Sequence, residues 1–270
     1  MRSIQDREEK RGIALERVGV TDVVRPILVR PPGGDAQTAT ATVALFVGLD
    51  ASKRGAHMSR FLEILQKHAE PSTPDGARAL LEDLRESLGA RTAAFELDFV
   101  YFVSSTAPIS RRTSPMACRT TVEAALDDDL DYVLTVEAPV MTVCPCSSET
   151  TGMTGHSQRG HVAVSVRYRG ELTIEELVQT IEDSASSPVY PLSKRDDERA
   201  IIERAAQAPA LVEDLARNVA ERLDSDVRIT WYRVEAKNLE SIHDHNVYAC
   251  VERSHEEDEP APGKAAGDSA

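Results

Sequence analysis

Residues 93–104 alternate: Phe95, Leu97, Phe99, Tyr101 and Val103 fall on one side, Glu96 and Asp98 on the other. A period of two sends successive side chains to opposite faces of a pleated strand, so the segment predicts a strand with one buried face. Such a strand cannot stand alone. It needs paired neighbours and a layer that covers its apolar side. Strand patterns fit residues 23–29 and 40–49, split by the turn-rich Pro31-Pro32-Gly33-Gly34-Asp35, and residues 116–125, followed by Asp127-Asp128-Asp129. Helical spacing covers 57–67 and 74–87, with Thr73 the expected N-cap before Pro74.

The second half repeats this order. Residues 132–143 and 161–168 read as strands, and 173–183 as a helix opened by a capping box of Thr173 and Glu176. Helices are expected at 197–206 and 211–222, interrupted at Pro209, then strands at 227–234 and 246–252. Each half reads strand, strand, helices, strand, strand, although the halves are not alike in sequence. Strands in direct succession argue for antiparallel pairs with helices on one face, an α+β fold. A length of 270 residues suggests about two domains. The expected divisions are an arm over 1–20, modules over 21–127 and 128–253, and a disordered tail over 254–270, rich in Glu, Asp, Pro, Ala and Gly.

Composition narrows the partners. A net charge of −14 argues against broad binding to nucleic acid or an acidic membrane, while leaving room for an anionic small molecule held by a local basic cluster. The chain is 41% hydrophobic and only 4% aromatic, so its core must rest on Val, Leu, Ile and Ala. Four unevenly spaced cysteines make no disulfide framework. The charged segment from Met1 to Lys10 lacks the apolar region of a signal peptide, and no stretch is long and apolar enough to span a membrane. A cytoplasmic protein with reduced thiols is expected.

The chemistry concentrates at Cys144-Pro145-Cys146 and at His156, twelve residues after Cys144. No second cysteine pair closes a four-ligand zinc knuckle, and Cys118 and Cys250 stand apart. A compact donor group with an open position is what metal-assisted hydrolysis needs. Cys144 ends an apolar strand, where a ligand is rigidly held. A lone cysteine is often a small buried hydrophobe, but the polar surroundings here favour a ligand. His161, at a strand start, reads as structural. In Glu240-Ser241-Ile242-His243-Asp244-His245, an extended backbone would point His243 and His245 the same way. Glu198 and Glu213, judged only by their helices, read as solvated. Basic islands at Lys53-Arg54 with Arg60, at Arg111-Arg112, at Arg159 and at Lys194-Arg195 are candidate phosphate contacts.

Taken together, several segments resemble the type IB GTP cyclohydrolases of the tunnelling-fold superfamily. They are Val18-Gly19-Val20-Thr21-Asp22-Val23, Gly55-Ala56-His57-Met58-Ser59-Arg60-Phe61, Val143-Cys144-Pro145-Cys146-Ser147, His156-Ser157-Gln158-Arg159, Ser187-Pro188-Val189-Tyr190-Pro191, Lys194-Arg195 before Asp197-Glu198, Val212-Glu213-Asp214 and Glu240-Ser241-Ile242-His243. The resemblance implies two tandem tunnelling-fold modules that assemble into barrels, in a homotetramer with active sites between subunits. It implies hydrolysis of GTP to formate and 7,8-dihydroneopterin triphosphate, the first step toward folate-type pterins, with an archaeal branch giving a cyclic phosphate. It also implies a divalent metal: zinc, manganese or iron(II).

Carried over by position, Cys144, His156, Glu198, Glu240 and His243 are the implied metal ligands or near neighbours. Glu213 is the implied grip on the guanine edge. Cys146 is a second active-site cysteine, and His243 or His245 would relay protons near neutral pH. Arg159, Lys194 and Arg195 would hold the triphosphate. The family loop Gly-Ala-His-Asn-Gln-Arg-Ser becomes Gly155-His156-Ser157-Gln158-Arg159-Gly160 here, a proline before Asp-Glu is replaced by Asp196, and His-Asn-His becomes His243-Asp244-His245. None of these changes removes an implied ligand. Two alternatives stand beside this reading: another tunnelling-fold pterin or deazaguanine enzyme, and a catalytically silent metal- or ligand-binding module.

Overall fold

The computed structural model describes residues 4–31 and 34–255. The strands are β1 (Leu15–Val29), β2 (Gln37–Leu49), β3 (Ala93–Thr106), β4 (Thr113–Leu126), β5 (Leu130–Val143), β6 (Ser157–Tyr168), β7 (Ser187–Pro188), β8 (Ile229–Leu239) and β9 (Val247–Ser254). The helices are α1 (Met58–Leu65), α2 (Pro74–Leu88), α3 (Pro145–Thr151), α4 (Ile174–Ser184), α5 (Arg195–Gln207) and α6 (Val212–Asp224). All the strands join one antiparallel sheet in the order β1-β2-β3-β4-β5-β6-β8-β9, with β7 paired to β5 beside that path.

The alternation that predicted β3 is the alternation observed. Phe95, Leu97, Phe99 and Tyr101 are buried on the face that the helices cover. Phe95 lies between Leu45 of β2 and Ala124 of β4, so each buried side chain meets partners of its own parity. Full burial of a side chain of this size contributes roughly 1.5–3 kcal/mol, and truncating Leu97 to Ala would cost about 2–5 kcal/mol. The capping expectations hold as well. Thr73 accepts from the Gly76 N–H at 3.1 Å. Thr173 accepts from the Glu176 N–H at 3.1 Å while its own N–H donates to Glu176 at 2.8 Å.

Several boundaries differ from expectation, among them the start of β6, which is Ser157 rather than 161 and so places His161 inside the strand. The expected arm over 1–20 is cut short, because β1 begins at Leu15. A register shift between Val20 and Val23, with Asp22 at φ 59°, breaks the alternation and hides the strand's first half. Strand β8 runs to Leu239 rather than stopping at 234, which carries Glu240 to the sheet's end. Residues 145–151, unassigned from sequence, form the short helix α3. Of the expected tail, Ser254 closes β9 and His255 still bonds to the Thr230 carbonyl at 2.7 Å; the remainder lies outside the described residues.

The border expected between 127 and 128 falls in the β4–β5 turn, and the sheet runs on across it, with Leu126 opposite Leu130. Buried residues of both halves, from Leu45 and Phe61 to Ile181 and Tyr232, form one cluster. Among the described residues no helix is long and apolar enough to cross a membrane.

Candidate active site

The registers gather the chemistry at one end of the sheet. Val143 pairs with Ser157, Arg159 with Leu239, and Thr106 with Thr113, so the C-termini of β5 and β8, the N-terminus of β6 and the β3–β4 turn all emerge there. One step beyond the Val143–Ser157 pair, Cys144 lies opposite His156, and the Cys144 N–H donates to the His156 carbonyl at 3.1 Å. Residues directly opposed in an antiparallel pair present their side chains on one face, with Cβ atoms about 4.5–5.5 Å apart. By parity this is the helix-covered face, since Tyr132 to Val140 on β5 and Gln158 to Val166 on β6 bury their even-numbered residues.

The loop between them is built to hold this approach. The Cys144 carbonyl accepts from Ser147 Oγ at 3.1 Å, and Ser147 Oγ accepts from the His156 N–H at 3.1 Å. A Cβ at Gly155 would stand 2.0 Å from the Cys144 carbonyl oxygen, so only glycine lets the chain pass. Cys144 is the N-cap of α3 and Cys146 its second residue. The charge of Cys144 beside it, more than burial, pushes the Cys146 thiol above its ordinary range.

The third strand contributes Glu240, whose side chain is only 9% exposed. Its carboxylate stands 3.3 Å from His156 Nδ1, and Ser241 Oγ is 2.9 Å from the same nitrogen. Gln158 and Asn238, both buried, continue this polar line into the core. Sequence reading gave neither of them a role. The available signal was parity: after Tyr232, Val234 and Ala236, position 238 belongs to the buried face, where a polar residue calls for a reason.

Glu213 is the second residue of α6, and that helix is tied to the same corner because the Ala210 N–H donates to the Val143 carbonyl at 2.9 Å. The Val143 N–H donates to Ser186 Oγ at 3.1 Å. Glu213 and Glu198 themselves are exposed, as are Lys194 and Arg195, whereas Arg159 is exposed on the helix-free face, with the parity of His161 and opposite to that of Cys144 and His156. His243 and His245 are exposed in the loop after Glu240, with their rings stacked at 5.1 Å, so they do share a side. His161 sits on the helix-free face, 3.2 Å from Glu137.

A further residue missed in the sequence joins two basic islands. Asp197 is fully buried, and its carboxylate accepts from the N–H groups of Ile109 (2.8 Å), Ser110 (2.7 Å) and Lys194 (2.8 Å). Burial pushes its pKa up, but the bonds from Ser110, Lys194 and Ile109 outweigh it and hold the carboxyl well below the usual range. The clamp fastens the β3–β4 turn to the start of α5 and so brings Arg111-Arg112 to Lys194-Arg195. Arg111 takes the left-handed conformation, φ 57°.

In donor chemistry, a thiol, an imidazole and carboxylates suit a divalent transition metal. Among the described residues, no three His, Cys, Asp or Glu side chains converge closely enough to hold an ion as they stand. A cavity of about 310 Å³ lies elsewhere, between Phe99, Tyr101, Leu134, Tyr168 and the first turns of α2 and α4.

Comparison with known proteins shows the family. A family model described as type I GTP cyclohydrolase FolE2 matches residues 1–249. The GTP cyclohydrolase FolE2 of Citrifermentans bemidjiense is 42% identical over 253 residues, covering 94% of this chain and 95% of its own. Those of Kosmotoga olearia and Thermotoga maritima are each 41% identical over 94% of this chain, covering 98% and 97% of theirs. Among solved structures, the urate oxidase of Bacillus sp. TB-90 aligns with TM-score 0.52 at 9% identity, covering 89% of this chain and 100% of that one. A Bacillus fastidious uricase also aligns at 0.52 and 9%, covering 90% and 94%. At that identity the likeness is one of fold alone.

Proposed function

This chain belongs to the type IB GTP cyclohydrolase family, and we propose that the corner around Cys144 and His156 is where it opens the guanine ring of GTP, as the entry reaction of folate and pterin biosynthesis. The observation that carries the assignment is the direct opposition of Cys144 and His156, with Glu240 against the imidazole. These two residues would hold a divalent zinc, manganese or iron(II) ion, with Glu198, Glu240 and His243 as the acidic and imidazole groups beside them. When bound, that ion supplies the Lewis-acid charge that makes water a competent nucleophile near neutral pH.

The remaining roles belong to this chain's own side chains. Glu213, at the start of α6, accepts from the N–H groups of the guanine edge and fixes the base with C8 toward Cys144. Lys194 and Arg195, joined through the Asp197 clamp by Arg111 and Arg112, hold the triphosphate by charge-assisted hydrogen bonds, with Arg159 at the same sheet end as a further contact. His243 and His245 move protons as the imidazole ring opens, formate leaves and the ribose-derived carbons close onto the freed amine. Cys146 flanks the reacting centre. The product is 7,8-dihydroneopterin triphosphate.

We read the active protein as a cytoplasmic homotetramer of tandem tunnelling-fold modules closed into barrels, with GTP between subunits. Two features support this: β1 and β9 are the sheet's outer strands, and the donors stand at an open sheet end rather than in a closed pocket.

The test is formate release from GTP by metal-stripped protein, with Zn²⁺, Mn²⁺ or Fe²⁺ restored singly. Metal-dependent formate, together with a pterin that fluoresces after oxidation, supports the assignment. Folded protein that binds metal and yields no formate would mark a silent binding module.

A further inference from the structure

We propose that Gln158 and Asn238 are positioning residues: their buried amides hold the Glu240 carboxylate against Nδ1 of His156, so that Nε2 is the nitrogen offered to the metal. The proposal rests on reading Cys144 and His156 as metal donors. It assigns Glu240 a part played through His156 rather than on the ion.

The geometry runs as a line. The Gln158 amide is oriented by its neighbours, because its oxygen turned toward Glu240 would face only acceptors. With nitrogen toward Glu240 it donates to the two carboxylate oxygens at 2.9 and 3.0 Å, and its oxygen accepts from Asn238 Nδ2 at 3.1 Å. Glu240 Oε1 also accepts from the Ser241 N–H at 3.2 Å and stands 3.3 Å from His156 Nδ1. Asn238 is fully buried, and Gln158 is 8% exposed. Gly160 makes room for this packing, since a Cβ there would lie 2.7 Å from Asn238 Oδ1.

The hydrogen-bond directions leave one arrangement. Gln158 can only donate toward Glu240, because both carboxylate oxygens can only accept. Glu240 therefore meets His156 as an acceptor, and the ring nitrogen facing a carboxylate carries the proton. The Ser241 hydroxyl at 2.9 Å is a second acceptor for the same N–H. Nε2 is left with its lone pair, the form a metal-binding imidazole needs, and the carboxylate raises its basicity. Three residues on two adjacent strands, none of them a required ligand, thus fix which nitrogen is presented and at what angle.

The experiment is a Co²⁺ titration of metal-stripped full-length protein under reducing, anaerobic conditions. Thiolate-to-cobalt charge-transfer absorption is followed beside steady-state kinetics and thermal unfolding. Gln158→Met keeps the volume and removes the amide. It is expected to retain the charge-transfer band, weaken Co²⁺ about 10–100-fold, and lower kcat with KM nearly unchanged. Glu240→Gln alone sets two amide nitrogens against each other. Combined with Gln158→Glu, the bond between positions 158 and 240 is restored with its direction reversed, while Asn238 still donates to position 158 and position 240 still accepts from His156, and Co²⁺ affinity should recover toward wild type. Wild-type affinity and turnover in Gln158→Met would overturn the proposal, as would a double variant no better than Glu240→Gln alone. The double variant decides the matter if Gln158→Met does not fold. A wild-type titration with no thiolate band would instead sink the reading of Cys144 as a donor, and that result appears before any variant is made.

Discussion

The two ends of the sheet carry similar numbers of cations and use them differently. At the end away from Cys144, basic side chains are consumed by the fold. Lys53 Nζ donates to the Gly89 carbonyl at 2.6 Å, and Arg60 to the Ser87 carbonyl at 3.1 Å, so both neutralise the C-terminal carbonyls of α2. Arg85 donates to the Asp127 carbonyl at 2.5 Å, and Arg91 grips the Asp127 carboxylate at 3.1 and 3.2 Å, fixing the β4–β5 turn. At the Cys144 end, the side chains of Arg111, Arg112, Arg159, Lys194 and Arg195 make no ion pair or hydrogen bond among the described residues. On a chain of net charge −14, a group of cations with no protein partner beside the candidate donors is positioned for an anion from outside.

The sharpest way to break this comparison is to remove a donor at one end and a cation at the other. Cys144→Ala and His156→Ala should each abolish formate release while leaving the circular dichroism spectrum and melting profile near wild type. Lys53→Ala should lower the melting temperature and leave turnover per folded molecule intact. Full activity of Cys144→Ala in metal-replete buffer would remove the chemistry from this corner altogether.

Smaller effects should follow from the rim. Lys194→Ala and Arg195→Ala are each expected to raise KM for GTP about tenfold, the loss of one charge-assisted contact to phosphate, with kcat little changed. Arg91→Ala is the matched control and should not move KM. Equal effects at the two ends would mean that the rim cations serve solubility rather than substrate.

Asp197 tests what holds the rim together. Asn in its place can still accept from Ile109 and Ser110, but its amide nitrogen would face the Lys194 N–H. Thermal unfolding of Asp197→Asn should drop by about 5 °C at pH 7, with a rise in KM as the β3–β4 turn loosens from α5. The sign with pH is fixed by the lowered pKa. The carboxylate's contribution is fully present above the unfolded carboxyl pKa and is lost as pH falls through the lower folded value, so the deficit should shrink in strong acid. A deficit independent of pH would show that shape, not charge, does the holding.

Asp197 also marks the limit of what the sequence made legible. The strands were readable because their period is local, and the caps at Thr73 and Thr173 because each is completed within four residues. Cys144, His156 and Glu240 were readable as residues, by chemistry and resemblance, but their convergence depends on the registers of β5, β6 and β8. Asp197 sat in a run of charges, Lys194-Arg195-Asp196-Asp197-Glu198, where nothing local separates the one buried carboxylate from its exposed neighbours. Two of its three partners are backbone N–H groups 88 and 87 residues away, invisible to any pattern of side chains. Leu15 to Val20 were lost for the opposite reason, a local irregularity that masked a strand whose pairing is long-range.

A last expected effect, away from the reacting groups, concerns a charge beneath the site end that lacks adequate compensation. Glu182, on α4, lies in a groove with Tyr190 and Arg204. Burial, with help from Asp183, pushes its carboxyl up to about 7, and Arg204 opposes this without prevailing. The folded chain therefore holds a proton that the unfolded chain has already released. Stability should fall as pH rises from about 4.5 to about 7, and the full cost is present above that range. A shift of this size corresponds to on the order of 2 kcal/mol once partial exposure is allowed for. Glu182→Gln should be more stable than wild type by that amount at pH 8 and no different at pH 4, measured by urea unfolding at both values. Parallel pH profiles for the two proteins would mean that Glu182 ionises freely.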